Sequence, residues 1–224
     1  MLSTWRTRSQ PLEPGDRAVH QAILRSFAAT GAPPSPCQLD HVSGGPENTG
    51  AALTNLHDAD AIRLSPDGRI EVAYPFSTTP TRHRVRIGDR VDVYAMCAID
   101  ALGIAAMLGE NTTISSVDVT TGRPVTVTTT RGHATWTPGG AVVFIGAAGG
   151  GPSADCCCDY LNFFGDMAAA EAWVADHQHI PGQVLNQAEA PELSARLFGP
   201  LLANREARQP HQSPFSRGEC TSRS

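Results

Sequence analysis

Residues 82–109 read RHRVRIGDRVDVYAMCAIDALGIAAMLG, and two hydrophobic periods meet inside them. At the start, Val85 and Ile87 alternate with Arg82, Arg84 and Arg86, the pattern of a strand with one solvated face. From about Asp92 the pattern turns nearly continuous and apolar and stops at Gly109, which predicts a buried helix ended by a glycine.

Further along the chain, residues 112–130 (TTISSVDVTTGRPVTVTTT) read as two β-rich runs around a Thr-Gly turn. Residues 139–150 (GGAVVFIGAAGG) read as a buried strand between glycine-rich loops. Two helical patterns follow, at 167–178 and 190–204, separated by a Pro-Gly turn and a short apolar run, VLN. Towards the N-terminus, Val19, Ile23, Leu24 and Phe27 fall at helical spacing within about 17–30, and Pro33, Pro34 and Pro36 then break the chain. A second helix is expected over about 48–60, with Thr49 as its cap, and Pro66-Asp67-Gly68 marks a hairpin after it. Grouped hairpins among helices favour an α+β fold: a helical, winged-helix-like N-terminal unit, then an antiparallel or mixed β core flanked by helices. The expected divisions are a disordered 1–16, the winged-helix-like unit at 17–80, the core at 81–205 and a disordered tail at 206–224.

Composition narrows the function classes. The 224 residues suffice to bury a real core, and 41% hydrophobic with 17% charged residues reads as globular and soluble. No apolar run is long enough to cross a bilayer, and the N-terminus has no secretory-signal pattern, so a cytoplasmic location and no membrane partner are expected. All 17 basic residues are arginine, and the net charge of −5 disfavours general nucleic-acid binding. A winged-helix-like unit raises the case of a DNA-binding regulator. Its candidate recognition segment, however, carries Glu47, Asp58 and Asp60 and no arginine, which would repel phosphate.

Six cysteines in a cytoplasmic chain point to metal binding or catalysis rather than to a disulfide framework. Three of them are adjacent, Cys156, Cys157 and Cys158. Neighbours diverge in either a strand or a helix, so at most one or two can aim at one point, and a partner thiol must come from elsewhere. Cys97 and Asp100 supply a thiol and an acid three residues apart, about 60° apart around the axis if both lie in one helix. A carboxylate in such an apolar segment must be paired or become protonatable near neutral pH. Two thiolates suit a soft metal, and a neutral carboxylic acid can deliver a proton. Cys37 and Cys220, in Pro-rich or polar surroundings, read as incidental, and His177 reads as a helix cap. The loop AAGGGPSAD is glycine-rich but lacks the Lys-Ser/Thr and the strand–helix context of a nucleotide-binding loop.

These pieces together resemble the alkylmercury (organomercurial) lyases: CAID at 97–100, SSVDVTTGRPVTV at 115–127, adjacent cysteines ahead of NFF, and EAWVADHQ at 171–178. The resemblance covers about 85–205 and implies protonolysis of a carbon–mercury bond, R–Hg⁺ + H⁺ → R–H + Hg²⁺, in mercury detoxification. It implies a Cys-Asp-Cys site, with Cys97 the first thiol and Asp100 the proton carrier. Counting back from Phe163-Phe164 makes Cys158 the second thiol, while the family's adjacent pair leaves Cys157 as an alternate or assisting metal ligand. The implied substrate is an organomercurial, with no cofactor required, Hg²⁺ bound as product, a small-molecule thiol for its release and a mercuric reductase as acceptor. Val117-Asp118 stand where some members carry a further cysteine, and so does Asp159. The alternative is a soft-metal (Hg, Cu or Zn) binding or delivery protein on the same fold, without turnover.

Overall fold

The computed structural model describes residues 13–147, 153 and 158–203. The expected disordered ends therefore fall almost wholly outside the described residues, as do Cys156, Cys157 and Cys220. Three helices open the chain: α1 (Pro14–Thr30), α2 (Pro36–Ser43) and α3 (Pro46–Asp58). Each begins with proline in its first turn, where the missing N–H costs nothing and the fixed φ suits a helix. For that reason α1 starts before residue 17, and Pro36 opens a helix where the sequence reading had it break the chain. Ser35 and Gln38 form a reciprocal capping box on α2. Thr49 is not the cap of α3. It lies inside that helix, and its hydroxyl donates to Asp40 Oδ1 at 2.6 Å, tying α3 to α2.

Eight strands then build one antiparallel sheet: β1 (Ile62–Leu64), β2 (Ile70–Ala73), β3 (Phe76–Ser77), β4 (His83–Ile87), β5 (Val91–Ala95), β6 (Thr112–Val117), β7 (Pro124–Thr130) and β8 (His133–Thr137). Their order is β1-β2-β3-β5-β4-β6-β7-β8. The Pro-Asp-Gly hairpin joins β1 to β2 as expected, but its sheet runs on through β3 into β5. Thus the sheet passes without a break across residue 80, and Phe27 of α1 stacks on Phe76 of β3 at 5.2 Å between ring centroids.

Helix α4 (Ala98–Leu108) lies between β5 and β6 in the chain and is apolar nearly all round. A helix of that kind must be buried on every side. It packs against the large sheet on one side and against α6 (Glu189–Phe198) on another. A smaller antiparallel sheet, ordered β10-β9-β11, comprises β9 (Val142–Gly146), β10 (Asn162–Phe164) and β11 (Gly182–Leu185), with α5 (Met167–Asp176) beside it.

Strand periodicity explains the Phe pair. Phe163 enters the main core, and Phe164, pointing the other way, enters a second cluster with Val142, Phe144, Ala170 and Ile180. Strand β10 is thereby fixed from both faces. The α+β class expected from the sequence is the class observed. Among the described residues no helix is long and apolar enough to cross a membrane.

Candidate metal and catalytic site

The strand β5 continues to Ala95, and Val91, Val93 and Ala95 pair with Ile87, Val85 and His83 of β4. The helix expected from Asp92 therefore begins only at Ala98, and Cys97 stands before it in extended conformation, as its N-cap. The V-D-V-Y alternation carries the signal for this, since Asp92 is exposed while Val93 and Ala95 are buried. The Cys97 sulfur accepts the Asp100 N–H at 3.4 Å, one of the N–H groups that a helix leaves unpaired at its start. The three-residue spacing works through this cap: it places a thiol at the helix N-terminus and a carboxyl one turn inside it.

Cys158 opens a short 3₁₀ turn, Cys158–Tyr160, that leads into β10. One bond holds this segment against α4, and a second ties it to the turn after β6. Leu161 carbonyl accepts the N–H of Ala98, the first residue of the helix, at 2.9 Å. At the far end of β10, Gly165 N–H donates to Asp118 Oδ2 at 2.7 Å. Between them the Asn162 side chain donates to the Asp159 carbonyl at 2.7 Å, closing the turn.

As a result, one ligand atom each from Cys97, Asp100 and Cys158 lies within 4.8 Å of the others. All three residues are buried, at 1%, 2% and 6% exposure. Cys37 is exposed and lies far along the chain in α2, beside His41. His177 caps α5 and stacks on Trp173, as expected of a capping residue.

The surroundings set the protonation of the site. Burial pushes the Cys97 thiol well above the usual thiol range; its hydrogen bond with Cys158 and the charge of Asp100 add to the effect, against the opposing Asp100 N–H. Cys97 is consequently a neutral thiol at rest, and a metal that binds it must displace a proton. The carboxyl of Asp100 lies in the same buried grouping. Two thiols and one carboxyl are thus buried side by side.

A family model described as MerB, alkylmercury lyase, matches residues 76–199. The chain belongs to the alkylmercury lyase family. Among relatives, an alkylmercury lyase from Bacillus cereus is 32% identical over 146 residues, 64% of this chain and 65% of that protein. One from Pseudomonas putida is 31% identical over 130 residues, 57% and 60% of the two chains. The chain thus matches somewhat less than two thirds of the length of these family members. The fold is similar to that in the crystal structure of the mercury-bound form of MerB2, with a TM-score of 0.72 and 22% identity over 86% of this chain and 93% of that one. Asp118 is a residue whose full part the sequence could not reveal, because its partner Gly165 is distant in the chain.

Asp118 is 1% exposed, and its carboxylate accepts N–H bonds from Thr120, Thr121 and Gly165. Burial pushes its pKa up, but the three backbone donors outweigh that, and the net shift is down. The stabilisation is therefore present above the ordinary carboxylate value of about 3.9 and is lost as pH falls through the lower folded value. Asp118→Ala is expected to cost about 2–4 kcal/mol near pH 7, since charge-assisted bonds are worth about 1.5–3 kcal/mol each and are not additive. In denaturant unfolding, the gap between wild type and variant should narrow as pH falls below about 4. A gap independent of pH would show that the carboxylate's charge is not what holds the turn.

Proposed function

We propose that the protein is an organomercurial lyase that cleaves carbon–mercury bonds by protonolysis, with Cys97, Asp100 and Cys158 as its catalytic residues. The observation that carries the reading is the buried grouping of two thiols and one carboxyl within 4.8 Å. A soft-metal trap has use for the two thiols but none for a buried acid between them.

The chemistry follows from the protonation of the site. R–Hg⁺ bonds to the Cys97 sulfur as the thiol proton passes to Asp100, so the carboxyl becomes a neutral acid. Cys158 adds its sulfur to the metal and releases its own proton to solvent or to a small thiolate. Two sulfur donors push electron density through mercury onto the carbon. The Asp100 proton then moves to that carbon as the carbon–mercury bond breaks, its electron pair becoming the new C–H bond. R–H leaves, and Hg²⁺ stays on two thiolates. Mercury enters as part of the substrate and leaves as product, and no other cofactor takes part. A small thiol or a mercuric reductase would remove the ion, and detoxification would proceed in the cytoplasm. Cys157 is the neighbouring thiol proposed to assist in that transfer.

The test is benzene release from phenylmercury by the reduced protein with excess small thiol. Repeated turnover is expected, and Cys97→Ser should abolish it while the protein stays folded. Serine is a good N-cap, so the variant removes the metal ligand without freeing the helix end. Mercury binding without any benzene would replace this reading with the soft-metal binding protein.

A further inference from the structure

On the core side of the large sheet the side chains form rows across the strands. One row is wholly apolar in its packing: Val93, Val85, Ile114, Val127 and Trp136. The next row reads Ala95, His83, Ser116 and Val125, all buried, and it holds a polar pair where its neighbour holds Val85 and Ile114. His83 Nδ1 lies 3.0 Å from Ser116 Oγ.

This row leads to the site. Ala95, the last residue of β5, stands opposite His83, and Cys97 follows two residues on as the N-cap of α4. The ring of Phe163, in the strand that follows Cys158, rests between two partners, 5.8 Å from His83 and 5.8 Å from Trp136. His83 thus adjoins both segments that lead to the thiols, Ala95 beside it in the sheet and Phe163 against its ring. Burial, with a smaller contribution from Arg82, pushes the His83 pKa down to about 3, so the ring is neutral at ordinary pH and its bond to Ser116 persists.

A buried neutral hydrogen-bonded pair adds little net stability over an apolar pair of the same shape, because both groups are desolvated to make one bond. What it adds is a fixed ring orientation. We infer that His83, locked by Ser116, is a positioning residue: it seats Phe163, and through β10 it sets Cys158 against Cys97. This rests on the lyase reading above only for its catalytic readout.

Three variants test it: His83→Leu with Ser116→Ala, Ser116→Ala alone, and His83→Asn, which keeps a polar atom for Ser116. Measured on each are thermal unfolding, Hg²⁺ affinity from thiolate-to-mercury absorption in competition with a small thiol, and kcat and KM for benzene release. The apolar double variant is expected to unfold within a few degrees of wild type. Its Hg²⁺ affinity and its kcat should each fall by about tenfold or more, the size of effect that sub-ångström to ångström misplacement produces. KM should change less, because the first capture of R–Hg⁺ needs only one thiol. His83→Asn should recover part of the kcat. A folded double variant with wild-type Hg²⁺ affinity and kcat overturns the inference, as does a loss of both that merely tracks a collapse in Tm across all three variants. If the wild type releases no benzene, the lyase reading fails on its own, and the Hg²⁺ comparison still decides the role of His83.

Discussion

Asp100→Asn is expected to bind phenylmercury and release almost no benzene. The substitution keeps the shape of the side chain and, through the unchanged Cys97 cap, the start of α4. It removes the one buried carboxyl in the site. An amide neither takes the Cys97 proton nor carries one to carbon at neutral pH. Positioned acid–base groups contribute about 10²–10⁴ in rate, so single-turnover benzene release should slow by about that factor. Capture of R–Hg⁺ depends on the thiols and should persist, although more slowly, since the displaced Cys97 proton must now leave without its neighbour. Mercury bound per protein, measured beside benzene released, separates the two steps. Near-wild-type benzene release by Asp100→Asn would place the proton donor elsewhere and dismantle the role proposed for this carboxyl.

Much of the site is legible in the sequence because its spacing is local. Cys97 and Asp100 are three residues apart, and that interval has a physical meaning whether both lie inside a helix or, as here, one caps it. Cys158 is recognisable only by its distance from Phe163-Phe164, and the physical basis of that count is now plain. The two rings face different cores and fix the register of β10, so the residues before it arrive at a set place. The hydrogen bond from Ala98 N–H to the Leu161 carbonyl, which closes the site, joins positions 63 residues apart and leaves no trace in local pattern. The same is true of Asp118 with Gly165 and of His83 with Ser116.

In the fold, alternation revealed strands wherever one face meets water, as in Arg84 and Arg86 against Val85 and Ile87. It was obscured at the junction of β5 and α4, where a half-buried strand runs into a fully buried helix and both are apolar. Short α2 was hidden in a different way. Three nearby prolines look like breakers, yet one of them is the first residue of a helix whose Ser35 and Gln38 complete a capping box. Proline at a helix start and proline in a loop are the same letter, and only the residues around it tell them apart.

Gly103→Ala should be among the most destabilising small substitutions in the chain, although alanine is by about 1 kcal/mol the better helix former. Gly103 lies in α4 where α6 crosses it, and a Cβ there would stand 2.2 Å from Phe198 Cδ2, 2.7 Å from its Cγ and 3.0 Å from its Cβ. The contact reaches back to the Cβ of Phe198, so rotating the ring does not relieve it, and at 0% exposure the ring has no open space to enter. The helices must move apart. Overpacking of this kind costs about 1–3 kcal/mol, occasionally more, and here it exceeds the propensity gain. For a chain of this size about 2 kcal/mol lowers Tm by roughly 4–8 °C. Because α4 carries Cys97 at its cap and Asp100 in its first turn, displacement by a few tenths of an ångström also reaches the site, and Hg²⁺ affinity should fall with Tm. Adding Phe198→Leu, which shortens the obstructing side chain, should restore part of both. Wild-type Tm and affinity in Gly103→Ala would mean that α4 and α6 do not meet this closely. In that case the packing of α6 would not be what sets the position of α4.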